Sequence, residues 1–383
     1  MSMLNLPAPQ WVESDDALAQ ICQQWLQEAC LALDTEFVRM TTFYPQPGLI
    51  QVATLEDCWL IDPLAISDWQ PFADVLTAPD VVKIFHACAE DLEVCRRLCG
   101  VVPQPLFDTQ LAMALAGEGS SVGFQKAVES LLGIAIPKEA TRSDWLKRPL
   151  SDVQIDYATA DVYFLRRLYP GLRERLEDTG RLVWLQEEAE RTVQAAAEAE
   201  TDLKASYRRV KLGWKLRPLE QNILQSLSEW RELEARRLDV PRNKVADDQT
   251  LWNLARFKAR NRDQLSKAGM RSNIIRESAR EVLKRIEVAL GQPPEQWPEA
   301  LTRPLSISAG NLMKTLKKKV VARAEELQVP AEILANKKMI EALVRARGKT
   351  VPEPLQGWRY SVITQELTVL LEQSTDPAEE SDE

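Results

Sequence analysis

The segment Leu31-Ala-Leu-Asp-Thr-Glu-Phe37 decides how the first half of the chain is read. Its alternation places Leu31, Leu33, Thr35 and Phe37 on one face of a strand and Asp34 and Glu36 on the other. Two carboxylates therefore project side by side from one rigid element. Further on, the β-branched run Val81-Val-Lys-Ile-Phe-His86 leads into a helical stretch bearing Asp91. Later still, Tyr157 and Asp161 are four residues apart, which sets a phenol and a carboxylate one turn apart on one helix face.

In-line hydrolysis of a phosphodiester needs an activated water, charge stabilisation on the phosphoryl oxygens and stabilisation of the departing oxygen. Two hard cations about 3.5–4 Å apart supply all three. Mg²⁺ and Mn²⁺ prefer oxygen ligands, and the set Asp34, Glu36, Asp91 and Asp161 contains neither Cys nor His. Each acid adjoins an apolar segment, and burying carboxylates without a compensating cation is costly. These four are the expected ligands of two divalent ions, and with Tyr157 they form the expected catalytic set. Tyr157 either orients the attacking water or accepts its proton through a metal-bound hydroxide network.

The same residues carry a family resemblance. Leu33-Asp-Thr-Glu-Phe37, His86 through Asp91, and Tyr157 to Asp161 look like the three exonuclease motifs of the DEDD superfamily, in its tyrosine-bearing branch. Asp34-Thr-Glu-Phe-Val-Arg39, Tyr44-Pro45, Leu49-Ile-Gln51, Ile61-Asp-Pro63, Glu90-Asp-Leu-Glu93, Asp108-Thr-Gln110, Asp144-Trp145 and Arg148-Pro-Leu150 resemble ribonuclease D. The resemblance spans nearly the whole chain. It implies a 3′-to-5′ exoribonuclease that releases nucleoside 5′-monophosphates and trims tRNA precursors and other small structured RNAs. It also implies a ribonuclease H-like mixed sheet for the first half.

Four further residues are expected on the substrate side. Arg39 ends the first motif. His86, the sole histidine, either touches substrate phosphate or sugar or is a satisfied partner near the site. In the sister branch a histidine five residues before the last aspartate is the base, but position 156 here is Asp. Arg142 and Trp145 stand in a loop-like stretch of mixed charge, where they contact RNA by charge and stacking unless Trp145 instead plugs the core.

Net charge is −9, which on its face argues against a nucleic-acid partner. By segment, residues 1–200 carry roughly −16, residues 201–370 roughly +13 and the remainder roughly −6. An acidic half, whose carboxylates await cations, is thus joined to a basic half able to contact phosphates. The expected basic patches are Lys211, Lys215 and Arg217, and Lys317, Lys318 and Lys319. The six cysteines form no CxxC pair; Cys88, Cys95 and Cys99 follow helical spacing with Leu92 and are expected to pack as small apolar residues. No apolar run approaches eighteen residues and no leader-like segment opens the sequence, so a soluble, cytoplasmic protein is expected, with no membrane and no obligate protein partner implied.

Strands are expected at 30–37, 49–54, 58–62 and 81–86, and helices near 88–99, 109–116, 123–132 and 152–178. Ser151 followed by Gln154 is a capping-box pattern that starts the helix presenting Tyr157 and Asp161. An Ala/Glu-rich helix over about 181–206 leads to an internal repeat. A shift of 89 superposes Ile223, Leu227, Ala235, Leu238, Val240-Pro241, Leu251 and Leu254 on Leu312, Leu316, Ala324, Leu327, Val329-Pro330, Ile340 and Leu343. This rhythm resembles the HRDC module (helicase and ribonuclease D C-terminal), a helical bundle linked with nucleic-acid binding. Trp230-Arg231 fits that pattern, Lys319-Val320 departs from it, and Gly357-Trp-Arg-Tyr360 again looks family-like. The expected architecture is an α/β exonuclease domain with its connecting helix over 1–206, all-α modules over 211–291 and 299–373, and an acidic tail over 374–383. A DNA exonuclease and a non-catalytic RNA-binding protein are the alternatives on the same fold.

Overall fold

The structure, a computed structural model, describes residues 6–136, 143–198 and 202–374. These form two compact units. One takes the chain up to Val38, Pro47–Ala197 and the chain from Leu305 onward; the other takes Arg39–Gln46 and Glu198–Pro304. The linear division expected from sequence is therefore not how the compact units fall.

The first unit is built on a six-stranded mixed sheet, among the described residues, of order β1-β4-β3-β2-β5-β6. Its strands are Gln10–Val12 (β1), Cys30–Val38 (β2), Gln46–Ala53 (β3), Cys58–Ile61 (β4), Val82–Phe85 (β5) and Leu106–Asp108 (β6). β2 pairs parallel with β5, and β3 antiparallel with β4. Because β2 is central, Leu31, Ala32 and Leu33 are buried whichever face they point to. Leu31, Leu33, Ile50 and Val52 pack against helices Asp15–Trp25 (α1), Gln70–Thr77 (α2) and Ala89–Cys99 (α3). Ala32, Ala53, Cys58 and Ile84 pack on the other face, against Thr109–Ala116 (α4), Phe124–Leu132 (α5) and Asp152–Asp178 (α6). Cys88, Leu92 and Cys95 lie in the first of these cores, and no cysteine among the described residues is in a disulfide.

α6 begins as its sequence dictates. Ser151 Oγ accepts from the Gln154 amide and the Gln154 side chain returns to the Ser151 amide, two of the free donors of a helix start. The Ala/Glu-rich helix runs over Leu182–Glu198 (α7), shorter than expected within the described residues.

The internal repeat is structural. In the second unit, Pro218–Leu238 (α8), Arg242–Val245 (α9) and Asp248–Phe257 (α10) are followed by Arg262–Lys267 (α11) and Ser272–Gly291 (α12). Shifted by 89, the first three coincide with Ile307–Leu327 (α13), Ala331–Leu334 (α14) and Lys337–Arg345 (α15) to within one residue, and Gln365–Ser374 (α16) closes the second copy. Asp247 and Asn336, equivalent positions, each cap the next helix. Arg231 is buried and paired to Asp248 at 2.9 Å, whereas Val320 is a buried apolar contact and Lys319 an exposed partner of Glu366. The departure at 319–320 thus exchanges a part-buried ion pair for packing.

The second copy belongs to the first unit because Gly357-Trp-Arg-Tyr360 docks on α7. The Trp358 and Trp184 rings stack at 4.4 Å and 11°. Arg359, 3% exposed, is bidentate on Glu188, with one contact of 2.9 Å, and also donates to the Ile333 and Leu334 carbonyls. Glu187 accepts the Trp358 amide, a Cβ at position 357 would displace that carboxylate, and the φ of 63° lies in the left-handed region that favours glycine. Removing one partner of a buried pair costs about 3–5 kcal/mol. Arg359→Ala is expected to lose at least about 3 kcal/mol of the first unit's stability in urea unfolding, and a loss below about 1 kcal/mol would contradict this reading of the docking contact.

Candidate active site

Asp34 and Glu36 leave the central strand toward α6, where Asp161 faces them. One carboxylate oxygen from each of these three residues lies within 4.8 Å of the others. Asp34 and Glu36 are half-buried and Asp161 is 8% exposed. Asp91 is buried too but stands outside this triad, its carboxylate accepting the Thr35 hydroxyl at 2.5 Å. The reason is local: Thr35 points to the strand face that α3 covers, so α3 brings Asp91 to Thr35. Asp91 nevertheless feels the triad, since the charge on Asp34 helps raise it after burial has done most.

The turn that launches α3 is fixed from a distance. Asp108 accepts the amides of Ala87 and Cys88 (both 3.0 Å) and also caps α4 through Gln110 and Leu111. This explains the Asp108-Thr-Gln110 motif. Arg148 likewise explains Ile61-Asp-Pro63 and Arg148-Pro-Leu150. It donates to both Asp62 oxygens (2.7 and 2.6 Å), to the Gly48 carbonyl (2.6 Å) and to the Trp145 carbonyl (2.8 Å). Burial acts to raise the Asp62 pKa, but the bonds and charge of Arg148 together with the Leu64 amide outweigh it and hold the carboxyl below its ordinary range. The clamp sets Trp145, 2% exposed, among Leu49, Leu60, Leu150 and Ala158, with its ring centroid 6.1 Å from that of Tyr157. Trp145 is thus a packing wedge behind Tyr157, and the expectation that it stacks on RNA is corrected: no ring face is open to a base.

Tyr157 stands one turn before Asp161 on α6 and borders the same cavity. Burial, then the charges of Asp161, Glu36 and Asp34, raise the phenol well above its usual range, which favours its protonated form and a water-orienting role. Burial first and neighbouring carboxylates second push Asp34 up to about 8 and Glu36 to about 10, and burial raises Asp161 to about 7. Clustered oxygen donors that cannot all ionise without help fit a pair of hard divalent cations.

A pH dependence follows. The cation-free fold holds protons on these acids that the unfolded chain releases near pH 4, so the cluster's contribution to stability falls as pH rises. In chelator, the melting temperature of the protein relative to an Asp34→Asn variant should fall from about pH 5 to about pH 9, and a divalent cation should offset the fall. The comparison with the variant cancels Lys83, whose buried amine, lowered to about 7, acts in the opposite sense. A flat difference in chelator would contradict the mutual repulsion described above.

Asp34, Asp161 and Tyr157 border a cavity of about 670 Å³, whose remaining wall includes His86, Phe124, Gln125, Lys126, Ile136 and Leu165. The His86 ring is tied at both nitrogens: Nε2–H donates to the Val122 carbonyl and Nδ1 pairs with the Thr109 hydroxyl, each at 2.9 Å. Burial lowers its pKa. Both ring nitrogens thus have partners within the protein, while the ring also lines the cavity. Arg39 turns its guanidinium onto the Phe43 carbonyl (3.1 and 2.8 Å). Arg142 lies outside the described residues. Lys211, Lys215, Arg217, Lys317 and Lys318 are exposed; Lys215 sits 5.4 Å from the Trp214 ring, and Lys319 is paired to Glu366 at 2.7 Å. Sequence reasoning missed Phe124–Lys126, since α5 reaches the cavity only through tertiary packing.

Comparison with known proteins agrees with this geometry. A family model described as 3′-5′ exonuclease matches residues 9–177, one described as HRDC domain matches 220–286, and one described as ribonuclease D, C-terminal HRDC domain matches 310–367. The chain is 43% identical over 374 residues to ribonuclease D of Pseudomonas paraeruginosa (strain DSM 24068 / PA7), covering 96% of this chain and 99% of that one. It is 34% identical over 370 residues to ribonuclease D of Escherichia coli (strain K12), covering 95% and 98%. The crystal structure of Escherichia coli RNase D, described as an exoribonuclease involved in structured RNA processing, superposes with a TM-score of 0.89 at 34% identity, over 95% of this chain and 99% of that one.

Proposed function

Because the chain belongs to the ribonuclease D family, and is by that membership a 3′-to-5′ exoribonuclease that depends on divalent metal, we propose that Asp34, Glu36, Asp91, Tyr157 and Asp161 carry the reaction. The observation that supports this most is geometric: Asp34, Asp161 and Tyr157 border one cavity, and Glu36 completes with the two aspartates a cluster of carboxylate oxygens within 4.8 Å of one another. Asp34, Glu36, Asp161 and Asp91 would hold two Mg²⁺ or Mn²⁺ ions. Bound there, the ions would activate water and stabilise the departing 3′ oxygen. Tyr157, one turn from Asp161 on the cavity wall, orients the water that attacks the terminal phosphodiester. Trp145, clamped by Arg148, keeps the phenol in place. His86 fixes the Val122 carbonyl, at the approach to α5, and so shapes the cavity wall without transferring a proton.

The substrates proposed are 3′ ends of tRNA precursors and small structured RNAs in the cytoplasm, released as nucleoside 5′-monophosphates. Among the described residues no helix is long and apolar enough to cross a membrane. Exposed Lys211, Lys215 and Arg217 of the first module, and Lys317 and Lys318 of the second, are proposed to hold the RNA backbone. Every phosphate that the protein no longer neutralises should reduce the slope of log K against log salt by about 0.7 for single strands and about 0.9 for duplex. Reversing Lys211, Lys215 and Arg217 together is therefore expected to flatten the salt dependence of RNA binding by about two units, measured by fluorescence anisotropy. Unchanged slope and affinity would reassign that patch to protein contacts. Deleting the basic half is a poorer test, because the second module docks on α7.

The direct assay compares 3′-labelled RNA and DNA oligomers with Mg²⁺, Mn²⁺ or chelator. Release of labelled nucleoside 5′-monophosphate from RNA, abolished in chelator, is expected. Equal turnover of DNA, or release from the 5′ end, would overturn the assignment.

A further inference from the structure

Gln51 is 0% exposed, and neither its amide nitrogen nor its amide oxygen has a partner among the described residues. No other side chain in the sheet strands has both hydrogen-bonding groups buried and unsatisfied among those residues. Lys83, equally buried, donates to the Ala78 carbonyl at 2.7 Å, and Thr35 donates to Asp91. An unsatisfied buried amide costs about 1–3 kcal/mol for each group left unmade. Leu or Met would fill the same volume without that cost, so the amide needs a reason.

Its position supplies one. In β3, Leu49, Gln51 and Ala53 share a face. Leu49 packs with Ala158 of α6, and Ala53 shares a core with Ala160 and Val162 of the same helix. Gln51 lies between them on the β3 face that packs toward α6, whose residues 158–162 include Asp161. On the adjacent strand β2, Ala32 belongs to the same face, and Asp34 stands two residues on. The amide therefore sits in the layer between sheet and α6 that the two carboxylates bound.

We infer that Gln51 is a positioning residue of the metal site: from beneath α6 its amide anchors, through buried water, the carboxylates of Asp34 and Asp161 on the side away from the cavity. This rests on the metal-binding reading above. A carboxylate that ligates a cation is oriented by hydrogen bonds to its remaining lone pairs, and losing such a partner weakens the metal by about 10–100-fold. Water is the connector with suitable chemistry, since an amide offers it both a donor and an acceptor.

The test uses the full chain, calorimetric titration with Mn²⁺ in the absence of substrate, and thermal unfolding in chelator. Gln51→Leu and Gln51→Met should melt in chelator close to the wild-type temperature, because the amide has no protein partner to lose, while Mn²⁺ affinity falls about tenfold or more. Wild-type Mn²⁺ affinity in either folded variant would overturn the inference and leave the metal site standing. A large drop in melting temperature for both variants in chelator would also overturn it, by showing that the amide is paired within the fold. Absence of saturable Mn²⁺ binding in the wild type would remove the metal site and the inference together.

Discussion

Asp34→Asn and Asp161→Asn are each expected to reduce turnover of RNA by at least about a thousandfold, since a cation's charge stabilisation is worth several kcal/mol and each ~1.4 kcal/mol is tenfold. The substitution is near-isosteric, so packing is kept. The loss falls on cation binding and the chemical step rather than on folding. The cation-free variants should even melt higher than wild type above neutral pH, because each removes one of the carboxylates that raise their neighbours. Purified Asp34→Asn or Asp161→Asn with full activity in Mg²⁺ would end the assignment of these carboxylates to metal. Asp91 is predicted to be less sensitive in chelator, since its carboxylate already has the Thr35 hydroxyl.

Tyr157→Phe comes next in size. It removes only the hydroxyl, and the ring keeps its packing against Trp145. If that hydroxyl orients the attacking water, the single-turnover rate should fall by roughly 10²–10⁴-fold with RNA affinity little changed. Because the phenol stays protonated through the physiological range, the wild-type rate should show no limb from its ionisation near neutral pH. An unchanged single-turnover rate would reduce Tyr157 to a packing residue.

Much of the site was legible because its parts sit on regular elements. Alternation alone put Asp34 and Glu36 on one face of β2, and the capping box alone set the start of α6, so the Tyr157–Asp161 pair followed from period. The repeat of 89 was legible for a similar reason: α8 to α10 and α13 to α15 bury the same apolar positions. What escaped was short or tertiary. β1 and β6 are three residues each and gain their pairing from the sheet rather than from their own pattern. α1 and α2 carry amphipathic faces, but flanking Pro and Trp residues obscured them. Asp91 read as a fourth equal ligand, yet the bond to Thr35 depends on which face α3 covers. Trp145 read equally as plug or platform until Arg148 and Gly48 fixed its loop; a Cβ at Gly48 would collide with the Trp145 backbone. The docking of Gly357-Trp-Arg-Tyr360 on α7 joins residues 170 apart in sequence, which no local period reports.

The central claim is that the acid-lined cavity holds the divalent ions the reaction needs. Calorimetric titration of Mn²⁺ into the wild-type chain, in the presence of an RNA oligomer bearing a non-hydrolysable 3′-terminal linkage, addresses it directly. Two ions per chain are predicted for the wild type, and loss of at least one for Asp34→Asn and for Asp161→Asn. Two ions still bound at wild-type affinity by both variants would contradict the account.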